Sequence, residues 1–503
     1  MENATANGLT SWWASGLRIE HDRFTFQIIT HMKFGRRSKV AMAFVLCTAT
    51  AFASRAAAQS EAADDEPWLK EKLESFQDLK FGFMMHFGAY SQWGCIESWP
   101  LVEEDKWARP DDLPAWVERG KDLKQFQKDY WALPKTFNPI HFDARVWAQT
   151  AKAAGMKYVV FTTKHHDGFC MFDTHLTDYR ITAPNVPFHT NVRSNVVREV
   201  FRAFRSKEFA IGAYFSKADW HCPDYWDPGL SARTRNPNYD THAQSEKWQR
   251  FVDFTYGQIE ELMTGYGHID VLWLDAGQVR PPDQDIQMDR LAAMARRHQP
   301  GLIIVDRTVG GRYENYRTPE QQVPDKPLPY AWESCLTMGD SWSFKPNDKY
   351  KSARKLIGLL VDIVSKGGNL LLNVGPQPDG RLPEEAVSRM NEIGAWLKIN
   401  GEAIYGTRPI APYKEGSLAY TRKGKTVYAI YQITDAEEGL PERIDLTSLR
   451  PTGGAKVLLL GLKKSLNWHT EDSGKTVVEI PSSARATPPC RHAFVLKFES
   501  AGL

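Results

Sequence analysis

Apolar positions along the chain follow two regimes that change near Tyr413. From Phe76 to about Gly406, short continuous apolar runs alternate with longer segments whose apolar residues recur every three or four positions. The short runs predict strands over Lys80 to His86, Tyr158 to Thr163, Ala210 to Phe215, Ile269 to Leu274, Leu302 to Val305, Tyr330 to Trp332 and Asn369 to Val374. The periodic segments predict helices over Ala144 to Ala154, Asn195 to Lys207, Ser245 to Gly265, Asp285 to His298 and Lys351 to Ser365. Strands without clean alternation, set between helices, belong to a parallel sheet covered on both faces. About seven of them over roughly three hundred residues predict an α/β fold, a (β/α)8-like barrel with an irregular eighth unit. After Tyr413 the pattern alternates with period two. Leu418 to Tyr431 reads as a hairpin around Lys423-Gly424-Lys425, and Val457 to Leu460, Thr476 to Ile480 and Ala493 to Phe498 add short strands. A small C-terminal antiparallel β-sandwich is expected. The division expected is 59–410 for the barrel and 411–503 for the sandwich.

The first 58 residues stand apart. Lys33, Arg36, Arg37 and Lys39 precede an apolar stretch from Val40 to Ala53, and Arg55-Ala56-Ala57-Ala58 supplies small residues. That order is a signal peptide cleaved after Ala58, with translation starting at Met32, so residues 1–58 are expected to be removed and the product exported to the periplasm or the medium. The apolar stretch is too short for a stable membrane anchor, and Leu46 before Cys47 does not suit a lipoprotein site.

Composition narrows the function class. A formal net charge of +2 without a basic run gives no footprint for nucleic acid. The chain carries 17 Trp, whose flat faces suit sugar rings as well as core volume. Cys95, Cys170, Cys222, Cys335 and Cys490 show no paired spacing, so buried free thiols are expected rather than a zinc site or a disulfide framework.

The chemistry gathers at strand ends. Tyr158 to Thr163 runs into Lys164-His165-His166-Asp167-Gly168, His86 closes KFGFMMH, Asp275 closes HIDVLWLD, Arg307 closes LIIVDR, and Glu333 follows YAW. Polar groups delivered by buried strands are costly unless a ligand or partner satisfies them, and ligands of parallel α/β folds sit at the carboxyl ends of strands. One shared pocket is the economical reading. A strand-to-helix junction could also use Asp275 as an N-cap. His165, His166 and Asp167 could be metal ligands, but three consecutive residues do not easily converge on one ion. Consecutive strand residues also face opposite sides, so both His165 and His166 reach one pocket only if the strand end twists or bulges.

Five ordered blocks, KFGFMMHFGAYS, KYVVFTTKHHDGFCMF, HIDVLWLDAG, KGGNLLLNVGPQPDG and NGEAIYGTRP, resemble glycoside hydrolase family 29, the α-L-fucosidases, over essentially the whole mature chain. The resemblance implies an exo-acting retaining glycosidase on a (β/α)8-like barrel with a C-terminal β-sandwich, needing no cofactor and no metal. It implies that Asp275 is the nucleophile and that the acid/base is a glutamate in the loop after Arg307; an aspartate that must stay ionised calls for nearby cationic donors, for which Arg307 and His86 are candidates. Glu320 in YRTPE matches best; Glu333 and Glu314 are the other candidates. It further implies that His86, His165, His166, Tyr214, Trp273 and Arg307 hold the sugar. Glu97 and Trp99 resemble the family's Glu-Trp pair, although here Ser98 separates them. The C6 methyl of fucose calls for an apolar patch, for which Phe87 and Phe169 are candidates.

The substrate implied is a fucosylated oligosaccharide or glycoconjugate, with no nucleic acid partner and no membrane span after signal removal. The alternatives are an α-L-galactosidase on the same scaffold and a carbohydrate-binding protein without turnover. Linkage preference is expected to reside in the segments Trp99 to Pro134 and Cys222 to Asp240.

Overall fold

The computed structural model describes residues 64–109, 118–433, 439–452, 454–499 and 501–502. The targeting pattern, the Met32 start and the cleavage after Ala58 lie outside the described residues. Seven parallel strands form one sheet: β1 (Phe81–Met85), β2 (Tyr158–Lys164), β3 (Ala210–Ser216), β4 (Val271–Asp275), β5 (Ile303–Asp306), β6 (Glu333–Thr337) and β7 (Asn369–Val374). Their order is β5-β4-β3-β2-β1-β7-β6, every neighbouring pair parallel. The edges β5 and β6 are joined by an irregular stave over residues 313–321. Asp306 N donates to Tyr313 O at 2.8 Å, and Asn315 N donates to Ile304 O at 3.0 Å. On the other side Glu333 N reaches Arg317 O at 2.9 Å and Cys335 N reaches Pro319 O at 3.1 Å. The barrel thus closes through seven regular strands and one irregular stave.

Helices α1 (Leu69–Leu79), α2 (Leu123–Trp131), α3 (Ala144–Ala153), α4 (Val196–Arg205), α5 (Ser245–Gly265), α6 (Met288–His298), α7 (Ala353–Ser365) and α8 (Glu384–Asn400) accompany the sheet. Asp143, Asn195 and Ser352 cap α3, α4 and α7, each side chain accepting from a backbone N–H of the first turn. Helices α1 and α2 were not visible in the apolar period because each buries only two residues, Leu69 and Phe76 in one, Phe126 and Tyr130 in the other. The strand expected over Tyr330 to Trp332 begins instead at Glu333: Ala331 and Trp332 pair with Arg317 of the stave, before the chain reaches β7 at Asn369.

Each barrel strand sorts its side chains by parity. Phe83, Val159, Phe161, Ile211, Leu272, Ile304 and Leu372 pack outward against the helices. Met84, Tyr158, Val160, Tyr214, Val271, Trp273, Ile303, Val305, Cys335 and Leu371 fill the interior. Gly82 belongs to the inward set, and a Cβ there would stand 2.3 Å from the Tyr158 ring, so this position must lack a side chain for Tyr158 to lie across the barrel.

The C-terminal region opens with β8 (Arg408–Glu415), β9 (Leu418–Lys423) and β10 (Thr426–Gln432), completed by Val457–Leu459 and Ala493–Phe498 into a five-stranded antiparallel sheet. Alternation divides its two faces. Ala419, Tyr428, Ile430, Ala493 and Val495 join the barrel's core, whereas Leu418, Tyr420, Val427, Phe494, Leu496 and Phe498 face a second core that includes Ile444, Leu446 and Val478 of a three-stranded sheet. All five described cysteines carry free thiols, four of them buried. Among the described residues no helix is long and apolar enough to cross a membrane.

Candidate active site

The inward parity continues one step past the strands, and this step builds the site. Met84 leads to His86, Trp273 to Asp275, and Val305 to Arg307, so each polar side chain rises into the barrel mouth above an apolar residue. They line a cavity of about 430 Å³ together with Glu97, Trp99, His165, His166, Tyr214, Glu320 and Trp342. His165 and His166 both enter it. The pairing of β2 with β3 shifts register between Thr162 and Lys164, the strand stops at Lys164, and Gly168 turns with φ +79°. The two imidazoles therefore lie beyond strand alternation, their ring centres 4.1 Å apart.

Asp275 is held from two sides. Tyr214 Oη donates to its Oδ2 at 2.6 Å and Arg307 Nη1 to its Oδ1 at 2.7 Å. Burial alone would push this carboxyl up, but the Arg307 guanidinium, together with the Tyr214 hydroxyl, outweighs burial and holds it well below the usual carboxylate range. The other arm of Arg307 reaches Glu320, Nη2 to Oε2 at 2.6 Å, while its Nε donates to Thr318 Oγ1 at 3.1 Å. Arg307 also lies 4.6 Å over the Trp273 ring. One planar cation thus spans two carboxylates, which places the bound oxygens no more than about 7.5 Å apart, the reach of one guanidinium and two hydrogen bonds.

The three histidines are neutral at pH 7. Burial pushes His86 and His166 down to about 4, and it drives His165 well below its usual value. Their tautomers follow from their partners. Asn373 Nδ2 donates to Trp342 O at 2.6 Å, so its Oδ1, 2.8 Å from His86 Nδ1, accepts from that ring. Ser216 donates its hydroxyl proton to Ala218 O at 2.6 Å and so accepts from His166 Nδ1, also at 2.6 Å. In both rings Nε2 is left as an acceptor; that of His166 stands 3.9 Å from Asp275 Oδ2. Ser98 Oγ pairs with His165 Nδ1 at 2.6 Å.

Glu97 adds a different charge state. Its Oε1 accepts from Ser343 N at 2.6 Å, its Oε2 is buried with no hydrogen-bond partner among the described residues, and burial pushes its carboxyl up to about 8. A protonated Glu97, neutral imidazole acceptors and an ionised Asp275 can together give and take hydrogen bonds from a polyhydroxylated ring, with Trp99, Trp273 and Trp342 as its walls.

Residues 48–402 match the α-L-fucosidase family, and residues 413–499 match the α-L-fucosidase C-terminal domain. The chain belongs to glycoside hydrolase family 29, the α-L-fucosidases. Bovine tissue α-L-fucosidase is 30% identical over 438 residues, covering 84% of this chain and 87% of the relative. Among solved structures, α-L-fucosidase isoenzyme 1 of Paenibacillus thiaminolyticus superposes with a TM-score of 0.70 at 31% identity, covering 86% of this chain and all of that one. The Thermotoga maritima α-fucosidase in complex with fucose superposes at 0.67 with 26% identity, covering 87% and 100%. This fucosidase-family chain is a glycoside hydrolase with the two-part architecture its periodicity implied.

The structure brings together Asp275, Glu320, His86, Glu97, Trp99, His165, His166, Tyr214, Trp273 and Arg307 around one cavity. It places the remaining candidates elsewhere. Glu333 enters from the start of β6, below the cavity, where Tyr158 Oη (2.6 Å), Trp273 Nε1 (3.2 Å) and Tyr316 Oη (3.4 Å) donate to it. Glu314 accepts from Thr308 N, Gly310 N and Arg317, so it shapes the loop. Asp167 accepts from Tyr130 Oη and Phe169 N, so the His-His-Asp run does not converge. The expectation that His86 supplies positive charge to Asp275 fails, because burial keeps that ring neutral. Phe87 and Phe169 do not line the cavity: Phe87 follows His86 in the opposite parity, and both rings pack against Phe137. Apolar lining comes instead from Met84, Cys335 and Trp342.

Ser98, Ser216, Ser343 and Asn373 hydrogen-bond residues that line the cavity, and sequence reasoning missed them. Each acts by orienting a residue distant in the chain, and no local pattern marks it. His165, His166 and Asp275 also offer ligand atoms within 4.8 Å of one another. Their fit to a divalent ion is poor, since Arg307 places positive charge 2.7 Å from the same carboxylate.

Proposed function

We propose that the chain is an exo-acting, retaining α-L-fucosidase that removes terminal α-L-fucosyl residues from glycans by double displacement. The observation that carries this reading is the single guanidinium shared by Asp275 and Glu320 at the wall of a sugar-sized cavity. Asp275, ionised and held on both oxygens, attacks the anomeric carbon to form a glycosyl ester as the bond to the leaving oxygen breaks. Glu320 gives its proton to that oxygen, then takes one from the water that hydrolyses the ester. Retaining enzymes need these carboxyls about 5–5.5 Å apart, within the span that Arg307 permits. The two partners differ in freedom: the Glu320 side chain is 46% exposed and that of Asp275 only 16%. Glu320 can leave Arg307 to meet the leaving group, while Asp275 keeps it.

Neutral His86 and His166 accept sugar hydroxyls through Nε2, and Glu97 donates through its protonated oxygen. The apolar contacts of Met84, Cys335 and Trp342 suit a C6 methyl in place of a hydroxyl. The fucose complex of the Thermotoga maritima relative supports fucose as the sugar. Export completes the proposal; it is supported by the basic, apolar and small-residue order of residues 33–58.

The test compares nitrophenyl α-L-fucoside with the corresponding α-L-galactoside. Fucose in the cavity predicts the higher kcat/KM on the fucoside. A faster galactoside would overturn the sugar assignment, and hydrolysis of neither would overturn the enzyme.

A further inference from the structure

The two segments in which linkage preference was expected meet at the mouth of the cavity. Glu103 N donates to Ala232 O at 3.3 Å and Glu104 N to Arg233 O at 3.1 Å, so residues 103–104 and 232–233 run together as a strap. Asp105 locks it. Its Oδ2 accepts from Arg235 Nε and its Oδ1 from Arg235 Nη2, both at 2.8 Å, and Oδ1 also takes Trp107 Nε1 at 3.0 Å. Arg109 stiffens the same turn by donating to the carbonyls of Pro100, Val102 and Glu103.

Trp107 is 52% exposed, although its polar edge is pinned inward. A large aromatic face left in water forgoes burial that would stabilise the fold, so a rigid, exposed indole beside a cavity calls for a ligand. Its neighbour is Trp99, ring centres 6.2 Å apart, and Trp99 itself walls the cavity against His166 at 4.8 Å. Arg235 lies 4.2 Å over the Trp99 ring and also lines the cavity. With Nε and Nη2 committed to Asp105, its planar fork turns Nη1 to the other side as a donor. An aromatic platform and a fixed donor therefore stand just outside the place where the terminal sugar binds.

We infer that the strap holds the leaving-group sugar, a pyranose whose C–H face stacks on Trp107 while Arg235 donates to one of its oxygens. This inference rests on the reading that the cavity takes the terminal fucosyl residue. Because indole and guanidinium are both held before binding, little side-chain entropy is lost in forming the subsite. The strap then selects among glycosidic linkages by the angle at which each presents the second ring.

The test uses Trp107→Ala with two substrates: α-L-fucosyl fluoride, which has no second sugar, and the fucosylated disaccharide that the unaltered enzyme cleaves best. The expected result is a fall of about tenfold or more in kcat/KM on the disaccharide, the scale of one lost ring-stacking contact with its buried area. On the fluoride the change stays within about twofold, as for a surface substitution away from the chemistry. Trp107→Phe, which keeps an aromatic face, recovers most of the disaccharide activity. An equal fall on both substrates, or an unchanged rate on the disaccharide, overturns the subsite. Failure of the unaltered enzyme on the fluoride overturns the fucosidase reading instead, so the two failures are distinct.

Discussion

Arg307 donates to Asp275 and Glu320 from the two arms of one guanidinium, and the two carboxylates differ in their other surroundings as the proposed roles require. Asp275 also receives Tyr214 and is enclosed, which suits a carboxylate that must stay charged until it bonds carbon. Glu320 has Arg307 on one side and solvent on the other, which suits a group that exchanges protons with an alcohol and then with water. Glu320→Ala is accordingly expected to lose at least about a hundredfold in kcat on natural fucosides, the usual scale of general acid catalysis. It should keep much more of its rate on dinitrophenyl fucoside, whose leaving group needs no proton. Measuring both substrates with one variant checks the assignment; equal losses would move the acid elsewhere.

Much of the site was legible at this scale. Asp275, His86 and Arg307 end strands in the inward parity, and strand ends can be read from apolar runs. Phe87 was misplaced because one step along the chain at a strand end reverses the side a residue faces, and Phe169 because the chain turns at Gly168 just before it. The neutrality of His86 was not legible at all, since it depends on burial by segments far apart in sequence.

At the scale of elements, β6 and the irregular stave beside it carry three glutamates to three different places. Glu320 rides the stave to the cavity, Glu314 ties down the loop before it, and Glu333 opens β6 inside the barrel, fully buried. The stave lacks a regular period, because it pairs with β5 in one direction and with β6 in the other. The sequence therefore left all three candidates open, and resemblance rather than pattern favoured Glu320.

Burial pushes the Glu333 carboxyl up to about 7, against an ordinary value of 4.5. The sign of the consequence is definite. A group that binds its proton more tightly when folded supports the fold fully below about pH 4.5, and that support is lost as pH rises through about 7. Glu333→Gln removes this titration, so the melting temperature of the variant relative to the unaltered protein should be higher at pH 8 than at pH 5. The difference corresponds to on the order of 2–3 kcal/mol, because most of the change from 4.5 to about 7 is expressed between these two pH values. Thermal melts at the two pH values decide it; a gap that stays constant, or closes with rising pH, would contradict the picture of a desolvated carboxyl beneath Trp273.

For the molecule from residue 64 onward, the decisive feature is that one core runs through both regions. The inner face of the five-stranded sheet, with Tyr428, Ile430 and Val495, packs into the same cluster as Leu360 and Trp396 of α7 and α8. The indole of Trp396 also donates to Ala493 O at 2.8 Å. Period-two alternation revealed the sheet but not its role, since alternation shows that a strand has two faces and not what covers each. A shared core predicts one cooperative transition in scanning calorimetry, with the barrel and the C-terminal sheets melting together. Two resolved transitions would show that the interface contributes little.

The covalent step gives the most direct test of the whole account. The enzyme would be incubated with 2-deoxy-2-fluoro-α-L-fucosyl fluoride, digested and examined by peptide mass spectrometry. A fluorofucosyl ester on Asp275, together with release of the α-anomer first from an ordinary fucoside, is the expected outcome. A label on another carboxylate, or first release of the β-anomer without any label, would contradict it.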